Sequence, residues 1–313
     1  MKKVLAVAVF GLMASQSFAL NILISNDDGL SSNVKALTTA LRAAGHSVVV
    51  SVPCTGQSGR SAGIVMYSDN KISALNDDQI TKNAGCLNGV AAVGDPAVGA
   101  FKKAGYPDYH YVHGTPVLSV MYGIDAVAQN KWGKLPDLIL SGPNEGQNIG
   151  SLSLFSGTVG VVQYAGSRGI PAIAISAGQN TVDNKNLANP LSTIVANHTV
   201  KLIAELQSKA QSGKILPART VLNVNFPDKL DNNSRFAFSK MGSYDAYYLK
   251  FKTSVPYGIT AGKASTGPNG SQQQDEMVVS ANNIAVTAMQ VGFDSRPATQ
   301  EWLKLRLRQL LGK

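Results

Sequence analysis

Two adjacent aspartates, Asp27 and Asp28, follow the apolar run Asn21-Ile22-Leu23-Ile24-Ser25 in a chain that is otherwise sparing with charge. Neighbouring carboxylates behind a buried strand repel one another unless a cation or hydrogen-bond donors neutralise them, and a hard divalent ion with oxygen ligands does this economically. Mg²⁺ or Mn²⁺ fits that description. The pair alone leaves a plainer alternative open, in which Asp28 caps the following helix and Asp27 faces solvent. Two further loops carry neutral oxygens of the right kind: Ser58 in Thr55-Gly56-Gln57-Ser58-Gly59, and Asn144 in Ser141-Gly142-Pro143-Asn144-Glu145-Gly146. They would complete a hard-ion set, although both segments are also good turns in their own right. Ser156-Gly157-Thr158 opens a helix, where free N–H groups and the helix dipole make a phosphate cradle. Ser156 equally suits a simple N-cap. Arg60, beside Ser58, is a candidate to assist phosphate; an exposed arginine is the default. Gly59-Arg60-Ser61-Ala62-Gly63 satisfies the G-x-S-x-G pattern of serine hydrolases, with His110 or His113 as a conceivable base. The residues after it, Ile64-Val65-Met66-Tyr67, read as β and not as the helix start that a nucleophile elbow requires. His46 and His198 read as structural.

These loops are placed by an alternation of strands and helices. Ile22 to Ser25 is a strand; Val34, Leu37 and Leu41 share one helix face that Gly45 stops; Val48, Val49, Val50 and Val52 make the next strand, closed by Pro53. Strand, helix and strand in so short a stretch form a βαβ unit, which builds parallel sheets with a right-handed crossover. The alternation returns with a helix over 117–129, a strand over 138–140, a helix over 158–167, a strand over 173–175, a long helix over 191–211 and a strand over 221–225. The expected fold class is α/β, a three-layer and mostly parallel sheet. In open sheets of this kind ligands bind beyond the carboxyl ends of the strands, which is where the polar loops above would lie. Residues 228–274 are polar, rich in Tyr, Ser and Gly, and lack sustained periodicity; they read as an extended hairpin arm of the sort that makes oligomer contacts. A C-terminal amphipathic helix over 299–311 offers Trp302, Leu303, Leu307, Leu310 and Leu311 for packing. The organisation is therefore read as 1–19 leader, 20–227 catalytic core and 228–313 arm and helix.

The 313 residues, 44% hydrophobic and 15% charged, suit an ordinary globular domain and exclude a disordered or fibrous chain. The net charge of +9 would draw anionic substrates. No dense Lys/Arg run interleaved with aromatics occurs, so a nucleic-acid polymer is not an expected partner. Lys2 and Lys3, the apolar run Val4 to Met13, and Ser17-Phe18-Ala19 read as a secretory signal peptide cleaved after Ala19. Loss of the two lysines would take +9 to +7. The mature protein is expected to be periplasmic or secreted, with no membrane span, since the later apolar stretches fall short of about 20 residues. The two cysteines, Cys54 and Cys86, would both be exported, and an oxidising compartment permits a disulfide between them. A Cys/His metal site is disfavoured, because two Cys and four scattered His show no ligand spacing.

Taken in order, Asn26-Asp27-Asp28-Gly29, Gln57-Ser58-Gly59, His113-Gly114-Thr115-Pro116, Ser141-Gly142-x-Asn144-x-Gly146, Ser156-Gly157-Thr158-Val159-Gly160, Gly169-Ile170-Pro171-Ala172-Ile173-Ala174 and Asn223-Val224-Asn225-Phe226-Pro227 resemble the motifs of the SurE survival-protein family. The resemblance runs from about Leu20 to Pro227, with a weaker echo at Ile284 to Thr287. It implies a metal-dependent phosphatase acting on nucleoside monophosphates, a 5'/3'-nucleotidase or acid phosphatase. It also implies a Rossmann-like sheet with swapped C-terminal elements that tie subunits into a homodimer or homotetramer. Carried over by residue, it implies Asp27, Asp28, Ser58 and Asn144 as ligands of Mg²⁺ or Mn²⁺, and Ser156, Gly157 and Thr158 as the phosphate cradle. Asp27 is the candidate proton acceptor. The chain departs from the family where Cys54-Thr55-Gly56 replaces the usual Asp-Arg, where Val117-Leu118-Ser119 follows Gly-Thr-Pro, where Pro143 stands between Gly142 and Asn144, and where Tyr164-Ala165 replaces Glu-Gly. The ligand set is intact; substrate choice and oligomer contacts are what these departures touch. The competing reading is an exported nucleotide-binding relative that does not hydrolyse its ligand.

Overall fold

The computed structural model describes residues 18–64, 85–182, 185–210, 213–295 and 297–312. All but the last two residues of the leader expected over 1–19 lie outside them, as do residues 65–67, expected to be β-like, and residue 211 at the expected end of the long helix. A nine-stranded sheet runs in the order β3-β4-β2-β1-β5-β6-β7-β11-β8. Its strands are β1 (Asn21–Ser25), β2 (Ser47–Pro53), β3 (Val98–Ala100), β4 (Tyr109–Val112), β5 (Leu138–Glu145), β6 (Ala172–Ala177), β7 (Thr220–Asn225), β8 (Phe236–Ser239) and β11 (Ile284–Gln290). Only β3 on β4 and β11 on β7 are antiparallel. Strands β9 (Tyr247–Lys252) and β10 (Gly258–Lys263) form a separate antiparallel hairpin.

The helices are α1 (Ser32–Ala43), α2 (Pro116–Tyr122, continued by a π-helical stretch Gly123–Ala128 and a last turn Gln129–Trp132), α3 (Gly157–Ser167), α4 (Pro190–Ser208), α5 (Glu276–Val279) and α6 (Pro297–Arg306). Successive residues of β1 serve opposite faces. Ile22 and Ile24 join Val34, Leu37, Leu41 and Val195 under α1 and α4, while Leu23 joins Val120, Ile139, Val161 and Val162 under α2 and α3. That is the three-layer arrangement expected, and it explains why β1 reads as an unbroken apolar run instead of an alternating one. Each fully buried aliphatic side chain here contributes roughly 1.5–3 kcal/mol.

Strand β1 pairs in parallel with both β2 and β5, so the chain moves one way along the sheet after β1 and returns to its other side later. This is the topological switch point, where the loops after neighbouring strands part and leave a crevice. Residues 228–313 contribute β8 and β11 to the main sheet in addition to the hairpin and α6. The apolar residues expected to pack from α6 are exposed on this chain, Trp302 by 54% and Leu303 by 43%. Among the described residues, no helix is long and apolar enough to cross a membrane.

A candidate metal and phosphate site at the switch point

The loop after β1 is closed by its own asparagine. Asn26 accepts from Gly29 N at 3.1 Å and donates to Gly29 O at 2.7 Å, an Asx clamp that turns the chain sharply. Gly29 has φ 80°, and a Cβ there would stand 3.0 Å from the Pro53 carbonyl, so the turn needs glycine on both counts. Helix α1 is capped by Ser31, whose hydroxyl accepts from Val34 N at 3.3 Å. The capping duty that Asp28 could have served is therefore already met, and Asp27 is buried, not solvent-facing.

Asp27 points to the start of α3. Thr158 Oγ1 donates to its Oδ1 at 2.9 Å, and the backbone N–H groups of Gly157 and Thr158 also favour its ionised form. Gly157 makes the approach possible: a Cβ on it would lie 2.9 Å from Asp27 Cβ and Oδ2, and 2.8 Å from Pro116 Cγ. Burial still outweighs those donors and holds the Asp27 carboxyl above its ordinary range. Asp28, only partly exposed, is raised further by burial, by Asp27 and by Glu145; Glu145 N donates to it at 3.3 Å. Glu145 joins this cluster with little signal in the sequence, only that of a third carboxylate beside Asn144.

The second loop reaches the first through its backbone, since Gln57 N donates to Asp27 O at 2.7 Å. Ser58, next along, is exposed, as is Arg60. Ser61 N donates to Phe155 O at 3.2 Å, and a Cβ at Gly160 would strike the Ser61 carbonyl, so this loop lies against the start of α3. Ser61 sits in a left-handed turn with φ 51° that leads into neither strand nor helix through residue 64. The strand-to-helix elbow of a serine hydrolase is not formed.

The third loop grows out of β5. Its register with β6 slips between Ser141 and Asn144, a bulge at Gly142-Pro143 that re-aims the chain as it enters Asn144. The Asn144 amide donates to Gly146 O at 2.8 Å, which leaves Oδ1 as its second polar atom. Ser156 does cap α3, accepting from Val159 N at 3.1 Å. The cysteines are joined, with Cys54 at the end of β2 and both residues almost fully buried. His46 accepts from Leu20 N and His198 bonds Asp231 O, so both have structural partners.

The arrangement brings Asp27, Asp28, Asn144, Gly157 and Thr158 together and sets the Ser58 loop beside them. Two carboxyls raised by burial, with no lysine or arginine among the described residues acting on them, fit a hard divalent cation. Asn144 Oδ1 and a serine hydroxyl are donors of the same hard class.

The family profile described as Survival protein SurE matches residues 22–247. A "5'-nucleotidase SurE" of Desulfovibrio desulfuricans is 29% identical over 212 residues, 66% of this chain and 66% of that protein. One from Methanosphaera stadtmanae is 28% identical over 294 residues, 91% of this chain and all of the relative. The crystal structure of the SurE protein from Aquifex aeolicus superposes with a TM-score of 0.63 at 23% identity, covering 91% of this chain and 98% of that one, a likeness of fold.

Proposed function

The chain belongs to the survival protein SurE family, and on that premise we propose that it is a divalent-metal-dependent phosphatase that hydrolyses nucleoside monophosphates. The observation that carries this reading is the placement of two adjacent buried carboxyls at the switch point, against the open start of α3. Asp27, Asp28, Ser58 and Asn144 would hold Mg²⁺ or Mn²⁺, and the cation supplies Lewis acidity toward the phosphoryl group. The chain's own residues do the rest. The first turn of α3 favours an anion through its N-terminal N–H groups and dipole, with Ser156, Gly157 and Thr158 as the cradle. Those donors lean on Asp27 in this structure, so the phosphoryl group and Asp27 share them. Arg60, exposed on the adjoining loop, would assist at the phosphate's outer oxygens. Water adds to phosphorus, the bond to the ester oxygen breaks, and the leaving alkoxide takes a proton from solvent. Asp27, whose carboxyl is held above its usual range, is the acceptor for the proton that water gives up.

We further read the protein as exported, periplasmic or secreted, with a signal peptide removed after Ala19; the buried disulfide supports an oxidising compartment. Assembly into a homodimer or homotetramer is supported by the hairpin. Tyr247, Leu249, Phe251, Ile259 and Ala261 fall on one face of β9 and β10, with Phe251 exposed by 66% and Ile259 by 75%. An apolar face of that kind ordinarily has a partner.

The test is phosphate release from a panel of nucleoside monophosphates by the mature protein. Release is expected with Mg²⁺ or Mn²⁺, should vanish in chelator, and should return when metal is restored. Nucleotide binding without release in any metal would transfer the chain to the non-hydrolysing class.

A further inference from the structure

The short 3₁₀ turn Gly150–Phe155 runs without a break into Ser156, the cap of α3, and its Phe155 carbonyl receives Ser61 N from the second loop. Whatever fixes this turn thereby fixes the start of α3 and one wall of the Ser58 loop. Its first two amides are held by carboxylates from the far C-terminal part of the chain. Gly150 N donates to Glu276 Oε2 at 3.2 Å, and Ser151 N donates to Asp245 Oδ1 at 3.0 Å. Glu276 is fully buried and belongs to the framework of the core, since Asn223 Nδ2 bonds both its Oε1 and Asn148 O, each at 2.8 Å.

Asp245 is different in kind. It is only partly buried, it lies on the segment leading into β9, and its contact requires a specific accommodation from the turn. Gly150 has φ 54°, and a Cβ there would stand 2.4 Å from Asp245 Oδ1. The missing side chain is what lets the carboxylate reach the turn. A hydrogen bond to a charged acceptor is roughly twice as strong as a neutral one, so this contact is a firm anchor for a short turn.

We propose that Asp245 is a positioning residue for the phosphate cradle, acting through Gly150 and Ser151 to set the start of α3. The inference rests on the reading of Ser156, Gly157 and Thr158 as the phosphate site, and it makes the C-terminal arm part of the machinery for anion affinity.

The experiment uses the full mature protein with Asp245→Ala, Asp245→Asn and Gly150→Ala. Two readouts are taken: KM, kcat and the inhibition constant of inorganic phosphate, and amide hydrogen exchange over residues 150–160. Asp245→Ala and Gly150→Ala are expected to raise both KM and the phosphate inhibition constant roughly tenfold. The change in kcat should be much smaller, with faster exchange at Gly157 and Thr158. Asp245→Asn, which keeps an accepting oxygen but not the charge, should fall between Asp245→Ala and the wild type. Unchanged phosphate affinity together with unchanged exchange at Gly157 and Thr158 overturns the proposal, as does a loss confined to kcat. Should Asp245→Ala fail to fold, Gly150→Ala disturbs the same contact and carries the same readings. If the wild-type protein releases no phosphate, the functional reading falls, while exchange still decides whether Asp245 orders the helix start.

Discussion

Asp28→Asn is expected to lower phosphate release on the order of a thousandfold while leaving the protein folded and, with metal chelated, more stable than the wild type. The activity loss follows from taking a formal charge out of a cation site whose other proposed donors are one carboxylate and two neutral oxygens; removing a single group that stabilises developing charge costs a hundred- to a thousandfold. The gain in stability follows from the folded environment. Burial, Asp27 and Glu145 all raise the Asp28 carboxyl above its ordinary 3.8, so the folded chain prefers it protonated. For a carboxyl raised on folding, the cost of ionisation is absent below the unfolded value near 3.8, grows as pH rises, and is complete above the raised folded value. Asparagine keeps the shape without that cost. In chelator the variant should therefore melt with the wild type at the acid end and above it near neutrality. A variant that kept its phosphate release, or that melted below the wild type across the whole pH series, would remove Asp28 from the role given to it.

The same loop shows why some of the site was legible in the residues and some was not. Asp27 and Asp28 stand out because charge is rare behind a run such as Ile22-Leu23-Ile24, and that run announces a strand buried on both faces. The βαβ start, the switch between β2 and β5 beside β1, and the helix opening at Gly157 follow from equally local patterns. What local patterns do not carry is the approach of distant segments. Thr158 bonding Asp27 spans 131 residues, and the space that Gly157 leaves for that aspartate is a property of the packing, not of the Ser-Gly-Thr string. Glu145 was invisible for the same reason, because its proximity to Asp28 depends on the bulge that re-aims β5 after Ser141.

The fold divides along similar lines. Strands β3 and β4 carry no clear signal of their own, since Val98–Ala100 is three residues long and Tyr109–Val112 contains a histidine; β4 is held by its pairing with β2, and β3 is the edge strand added to β4. The strand read at 138–140 continues to Glu145, because Pro143 and Gly142, ordinarily breakers, are absorbed in the bulge. Strand β8 reads as arm sequence, yet its Ala237 and Phe238 pair with β11 and extend the main sheet. Helix α6 was legible as a helix and its apolar residues as contact residues, but on this chain they meet solvent. A hydrophobic pattern states that a face will be covered and is silent on what covers it.

Loss of the Cys54–Cys86 disulfide is expected to cost about 3 kcal/mol of stability, because it closes a loop with a sequence separation of 32 residues in the unfolded chain. For a chain of this size that amounts to a fall of roughly 5 °C in Tm. The staple sits where the fold has most use for it. Cys54 directly follows β2 and precedes the loop that Gln57 ties to Asp27, while the turn after Cys86 is bonded back to both loops of the candidate site, Leu87 N to Cys54 O at 2.9 Å and Asn88 Nδ2 to Leu30 O at 2.7 Å. Cys54→Ala, Cys86→Ala and the double variant separate loop closure from packing. If closure dominates, each single replacement already removes it, and the double variant should melt with the singles instead of losing their sum. Additive losses would mean that the two buried sulfur atoms matter as core packing, and no loss at all would mean that the backbone bonds of the 86–90 turn hold the loops by themselves. In the expected case the variants should also release phosphate more slowly at temperatures well below their melting point, since the Ser58 loop then loses the tie that supplements its Gln57 and Phe155 contacts.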